Sequence, residues 1–254
     1  MKTISQVTGG ITPSLFAALH VQIENYSTYQ LEVLEQLTSQ RVIPAMPISR
    51  LLNAPGNENL KAFFFTPVKD NTVLRGRKIA VIADDGFHEV ELLGPVWYFK
   101  ALGAQIDIVA PRYTPSLEKD HILAVQYLQP VGWVKVDRTA DQIEVGDYDA
   151  VFIPGGEWNS DSLRYDRDVT RYIRDFNQSG KLIAAVCHAP VVLTSAGILP
   201  GRRLTGYWNI QVELKNAGGI VLEEPVVIDG NLITSRHPID VADFSRAVEK
   251  WLTK

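Results

Sequence analysis

The chain contains a single cysteine, Cys187, and it is followed directly by a histidine in the stretch AAVCHAP, residues 184–190. A thiol beside an imidazole pairs a nucleophile with a group that takes or gives a proton near neutral pH. The preceding KLIAAV is an unbroken apolar run of strand length, and HAPVVLTSAG after it has helical character. Cys187 therefore falls at a strand–turn–helix junction, where a sharp turn pushes a nucleophile into a cleft. Unpaired N–H groups at the helix start favour a thiolate there. The same position also fits the last inward residue of a buried strand, where a cysteine is a small hydrophobe without chemistry. His188 is a candidate general acid or base, or else a helix-start residue bonded to nearby backbone.

Two further stretches carry groups that could act on the same atom. In DDGFHEVE, residues 84–91, Glu89 and Glu91 lie in the first turn of a helical run. Helical geometry sets them roughly 200° apart, so at most one should enter a cleft while the other is solvated or interfacial. Glu91 sits among Val90, Leu92 and Leu93; an inward carboxylate there is desolvated, keeps its proton and can donate a hydrogen bond that stabilises a thiolate, or else the acid simply sits at the helix N-terminus for the dipole. In PGGEWNSD, residues 154–161, Gly155 and Gly156 let backbone approach a ligand and aim N–H groups at a developing oxyanion. Asp161 could orient a histidine or simply cap a helix. Trp158, just beyond the glycines, is expected near the cleft, whereas Trp97 reads as core.

These stretches need a scaffold that brings them together, and the pattern of the chain supplies one. From residue 77 onward strands alternate with helical runs: KIAVIA, QIDIVAP, DYDAVFIPGG and KLIAAV against EVELLGPVWYFKALG, VTRYIRDFNQSG and VADFSRAVEKWLTK. Asp-Gly-Asn within EEPVVIDGNLITS marks a hairpin. Near-continuous apolar strands imply a mostly parallel sheet covered on both faces, an α/β three-layer sandwich. Ligands bind such sheets beyond the carboxyl ends of the strands, and all three chemistry-bearing stretches follow a strand.

Residues 1–76 differ in character. Thr12 and Pro13 open a helical pattern carried by Leu15, Leu19, Ile23 and Tyr26, and Ser27 with Gln30 could open a second helix. Pro44, Pro47, Pro55 and Pro67 then suggest an extended arm. The expected division is thus an N-terminal extension, 1–76, and one α/β domain, 77–254.

A formal net charge of −4 without a basic block argues against nucleic-acid binding. One cysteine excludes an intrachain disulfide and a cysteine-cluster metal site, and suits a reducing compartment. No apolar run spans a membrane and no signal-peptide pattern opens the chain, so cytoplasmic location is expected.

Taken together, RKIAVIADDGFHEVELLGP, YDAVFIPGG, KLIAAVCHAP, LTSAGILPGRRLTGY and VVIDGNLITSRHPID resemble the PfpI/ThiJ superfamily of intracellular cysteine peptidases, protein deglycases and glutathione-independent glyoxalases. The resemblance covers residues 77–253. It implies a flavodoxin-like sandwich related to class I glutamine amidotransferases, with Cys187 as nucleophile, His188 as its partner and Glu91 as the carboxylate bonded to the cysteine. Gly156 and His188 would supply the oxyanion N–H groups. In peptidase-like members an acid after the two glycines reaches the histidine across a subunit interface. Asp161 is the candidate here, one residue later than the usual spacing, and a homo-oligomer, dimer or higher, is implied. His88 replaces the glutamate of many relatives and would alter the charge preference of the pocket or add a base. His237 could also approach the cleft. No soluble cofactor and no metal is expected. The implied substrate is a small aldehyde, a glycated protein or a peptide; a non-enzymatic redox sensor or chaperone using an oxidisable Cys187 is the alternative.

Overall fold

The structure, a computed structural model, describes residues 51–114, 117–118 and 120–254. The helices expected over residues 12–37, and Pro44 and Pro47, lie outside the described residues. The first half holds α1 (Glu58–Phe65), β1 (Lys78–Ile82), β2 (Phe87–His88), α2 (Glu89–Ala101) and β3 (Gln105–Ala110). Next come β4 (His121–Gln126), β5 (Gln129–Lys135), β6 (Arg138–Thr139) and β7 (Ala150–Ile153). The remainder holds α3 (Glu157–Tyr165), α4 (Arg167–Gln178), β8 (Leu182–Val186), α5 (Pro190–Ala196) and α6 (Gln211–Asn216). The chain closes with β9 (Val226–Asp229), β10 (Leu232–Ser235) and α7 (Val241–Leu252).

The main sheet has seven strands in the order β9-β10-β8-β7-β1-β3-β6. Every neighbouring pair is parallel except β9 against β10. Alternation along each strand divides the core between two faces. Val81, Phe152 and Ala184 pack with Leu92, Phe99 and Phe244 from α2 and α7. Ile82, Ile153 and Ala185 face Ile173, Phe176 and Leu193 from α4 and α5. This is the expected flavodoxin-like sandwich. Registers Val81↔Phe152 and Ala185↔Ile153 bring the carboxyl ends of β1, β7 and β8 level.

Two features depart from the sequence pattern. Between Pro55 and Pro67 the chain is helical rather than extended: the prolines bracket α1 instead of preventing it. Leu60 and Phe63 are buried against Val90 at the start of α2 and Val241 and Ala242 of α7, and the Phe63 ring lies 5.0 Å from that of Tyr98. The second feature is a hairpin, β4–β5, whose β4 pairs in parallel with β2. A register shift at Ala124/Val125, with Pro130 and Gly132 in the partner strand, breaks the alternation that would have marked it.

Leu60 is fully buried, so Leu60→Ala should cost about 3 kcal/mol of stability in urea unfolding. Unchanged stability would mean that α1 adds nothing to the domain.

Candidate active site

Cys187 follows β8 and takes a left-handed backbone conformation, φ 63°, one of two non-glycine residues with positive φ among those described. Its N–H donates to the Ser235 carbonyl at 3.0 Å, and its carbonyl accepts from the Tyr207 N–H at 2.9 Å. The strained elbow is thus held from both sides, by the end of β10 and by the segment after Gly206. Burial pushes the Cys187 thiol above its ordinary range, while the backbone N–H groups of His188 and Gly156 oppose this by favouring the charged sulfur.

Glu91 is fully buried and neither of its oxygens has a hydrogen-bond partner of good geometry. Burial pushes its pKa up to about 8, against the opposing pull of the Cys187 thiol and the Gly155 amide. The carboxyl therefore carries its proton at neutral pH and faces the sulfur as a donor rather than as a charge. The close approach depends on Gly155: a Cβ there would meet the Cys187 Cβ at 2.5 Å and collide with the Glu91 carboxyl. Gly156, at φ 104°, would collide with the Gly86 carbonyl if it had a side chain. Glu89, expected to be solvated or interfacial, is buried as well, with its pKa raised by burial to about 7. Residues 51–65 pack over the start of α2 through Leu52, Leu60 and Val90, so both acids lie inside the chain.

His188 Nδ1 lies 3.3 Å from Cys187 Sγ, so the consecutive side chains turn toward each other. The ring stacks on Tyr207 with centroids 4.7 Å apart. Its Nε2 is 3.3 Å from Glu157 Oε1, an ion-pair distance without hydrogen-bond alignment. Within the chain, the carboxylate beside the histidine is Glu157. Helix α3 starts directly after Gly156, which puts Glu157 at its first position and Asp161 a full turn on, exposed and inside the helix rather than capping it. His88 lines the same cavity. Burial, with His188 nearby, lowers its pKa to about 4, and its buried Nδ1 is unpaired.

Asn159 is fully buried between the strand ends and carries no periodic or motif signal in the sequence. Its Nδ2 donates to the Pro154 carbonyl at 2.7 Å and the Gly155 carbonyl at 3.2 Å, while Oδ1 accepts from the Asp84 N–H at 2.6 Å. One amide thus ties the exit of β7 to that of β1. Asp85 takes the Leu123 N–H at 2.8 Å and so anchors the β4–β5 hairpin, whose tip reaches the cavity mouth. Trp158, Trp208 and His237 also line that cavity, while Trp97 packs against the core. Among the described residues no helix is long and apolar enough to cross a membrane.

The DJ-1/PfpI family model matches residues 77–250. General stress protein 18 of Bacillus subtilis (strain 168) is 35% identical over 172 residues, 67% of this chain and 95% of that protein. Protein/nucleic acid deglycase 2 of Escherichia coli (strain K12) is 34% identical over 177 residues, 69% of this chain and 98% of that protein. Among solved structures, a two-domain protein from Anabaena variabilis with DJ-1/ThiJ/PfpI-like and ferritin-like domains matches with a TM-score of 0.63 and 31% identity. That match covers 69% of this chain and 48% of the other, about half its length.

Because Glu89 and Glu91 hold protons in the folded chain that they release when unfolded, their stabilising contribution is complete below about pH 4.5 and is lost as pH rises through about 7 and 8. Urea unfolding of wild type against the Glu89→Gln, Glu91→Gln double variant should show the wild type losing ground between pH 5 and about 8. A constant difference across that range would place both carboxyls in water.

Proposed function

Because this chain belongs to the DJ-1/PfpI family, we propose that it is a cysteine-dependent enzyme acting on carbonyl compounds, with Cys187 Sγ as the attacking atom. The observation that carries this reading is the protonated Glu91 set against a thiol that itself faces a neutral imidazole. Proton donor and proton acceptor flank one sulfur, as addition to a carbonyl requires.

With a 2-oxoaldehyde the steps balance without an outside oxidant. Sγ bonds to the aldehyde carbon, the carbonyl pair moves to oxygen, and the thiol proton passes to His188 Nδ1. The resulting oxyanion lies toward the N–H groups of Gly156 and His188. His188 returns that proton to the oxygen and, neutral again, takes the proton from the carbon bearing sulfur; the electron pair moves toward the adjacent carbonyl, whose oxygen is protonated by Glu91. The resulting enediol tautomerises: the neighbouring carbon receives the proton held by His188, and the enol proton returns to Glu91. This leaves a 2-hydroxyacyl thioester. Water cleaves the S–C bond, giving the 2-hydroxy acid and the free thiol. One carbon is oxidised and its neighbour reduced, so the net change is addition of one water.

The resemblance to a relative named as a protein and nucleic acid deglycase supports an aldehyde adduct on protein as a source of the same carbonyl. Amide hydrolysis is less well served, because His188 must protonate an amine leaving group and its Glu157 contact lacks alignment.

Purified protein should convert methylglyoxal to lactate, and Cys187→Ala should abolish this. Glu91→Gln should lower kcat by about a hundredfold or more, as loss of a general acid does. Well-folded wild type that forms no lactate sinks the aldehyde reading.

A further inference from the structure

The cavity above Cys187 has a volume of about 360 Å³, at the lower end of the range of pockets that hold drug-sized ligands, roughly 300–1,000 Å³. A three-carbon aldehyde fills a small part of it. The reacting groups, Cys187 and His188, are buried, whereas Trp158 and Trp208 at the mouth are 69% and 63% exposed. From the reacting imidazole to the mouth runs an unbroken aromatic strip. His188 stacks on Tyr207, Tyr207 lies 4.1 Å from Trp208, and Trp208 meets His237 edge-on at 6.2 Å.

The charge of the walls selects as well. Among the described residues lining the cavity there is no lysine or arginine, and Glu157 is the carboxylate. Arg236, next to His237 in the chain, is tied to Asp240 at 2.9 Å and Glu223 at 3.0 Å. Burial holds His88, His188 and His237 below the ordinary imidazole pKa, so none of them supplies a positive charge at neutral pH. An anionic substrate finds no counter-charge here and is repelled by Glu157.

Resting on the carbonyl chemistry above, we propose that the physiological substrate is an uncharged carbonyl compound bearing an aryl or comparably flat apolar group, which lies on the Tyr207–Trp208 face while the carbonyl reaches Cys187. Among the described residues the exposed Trp158 and Trp208 faces have no partner ring other than those of the strip, and a substrate ring covers them. Selectivity thus comes from area and stacking at the mouth, and chemistry from the buried end.

The test compares kcat/KM for phenylglyoxal, methylglyoxal and 4-carboxyphenylglyoxal, a charged 2-oxoaldehyde able to undergo the same reaction, using the full chain and its Trp208→Ala and Trp208→Phe variants. Wild type should favour phenylglyoxal over methylglyoxal by about tenfold, one ring's worth of stacking and burial, and the anionic 4-carboxyphenylglyoxal should be a poorer substrate than phenylglyoxal. Trp208→Ala should remove most of that preference and Trp208→Phe should retain it. Taking the ratio across variants cancels the intrinsic reactivity of the two aldehydes. A ratio that Trp208→Ala leaves unchanged overturns the proposal. If wild type consumes no aldehyde, the reaction assigned above fails, and a second measurement still decides the pocket. Acetophenone should slow alkylation of Cys187 by iodoacetamide at concentrations where acetone does not, and equal effects of the two ketones overturn the proposal.

Discussion

The site depends on a backbone conformation that a cysteine does not adopt by preference. A left-handed residue other than glycine costs on the order of 1–3 kcal/mol and persists only where its surroundings over-determine it. At Cys187 they do so through two hydrogen bonds from separate parts of the chain, the Ser235 carbonyl on its N–H and the Tyr207 N–H on its carbonyl. Both donors of constraint are themselves fixed. Ser235 ends β10, paired in register with Val186 of β8, and the return segment is held where the Thr205 N–H donates to Thr234 Oγ1 at 2.8 Å. Placing β10 beside β8 is therefore what turns a strand end into an elbow. The glycine pair after β7 is the complement, since the turned-out sulfur needs a neighbouring strand exit with no side chain.

Desolvation then sets the protonation states. Glu91 and His88 both stay neutral at pH 7, one by keeping its proton and the other by refusing one. Burial also pushes the thiol up, against the pull of the His188 and Gly156 backbone N–H groups. In the reaction proposed above, formation of the S–C bond would lower the thiol pKa, and His188 Nδ1, at 3.3 Å from the sulfur, is the group placed to take the proton. Neutral groups around the sulfur and an aromatic mouth accord with the proposed selection by shape and apolar surface, with Glu157 as the one charge on the described cavity wall.

The main sheet was legible because its strands are buried on both faces and read as unbroken apolar runs; KIAVI, AVFI and LIAAV leave no other assignment. That Cys187, His188, Glu91, Gly155 and Gly156 would meet in space was legible because each lies beyond the end of such a run. What escaped was polar and local. Glu157 was hidden because the start of α3 decides which acid of the same chain lies beside His188. Asn159 does its positioning through three backbone contacts that leave no pattern of spacing. The β4–β5 hairpin was masked by its bulge and its proline, and α1 by the prolines that flank it. Glu89 was misplaced because helical phase alone cannot anticipate a neighbouring element covering the second face.

That neighbouring element links the first part of the chain to the chemistry. Val90 and Glu91 are adjacent on α2, about 100° apart around the helix. Val90 packs into the cluster formed with Leu52, Leu60 and Phe63, while Glu91 faces Cys187. The grip of residues 51–65 on one side of α2 therefore fixes the rotation of the helix that aims Glu91 on the other. Asn57 holds the Leu51 carbonyl at 2.7 Å, and Leu51 itself forms part of the cavity wall. Residues ahead of the family-matched stretch thus pack on the helix that carries the acid and form part of the apolar wall of the cavity.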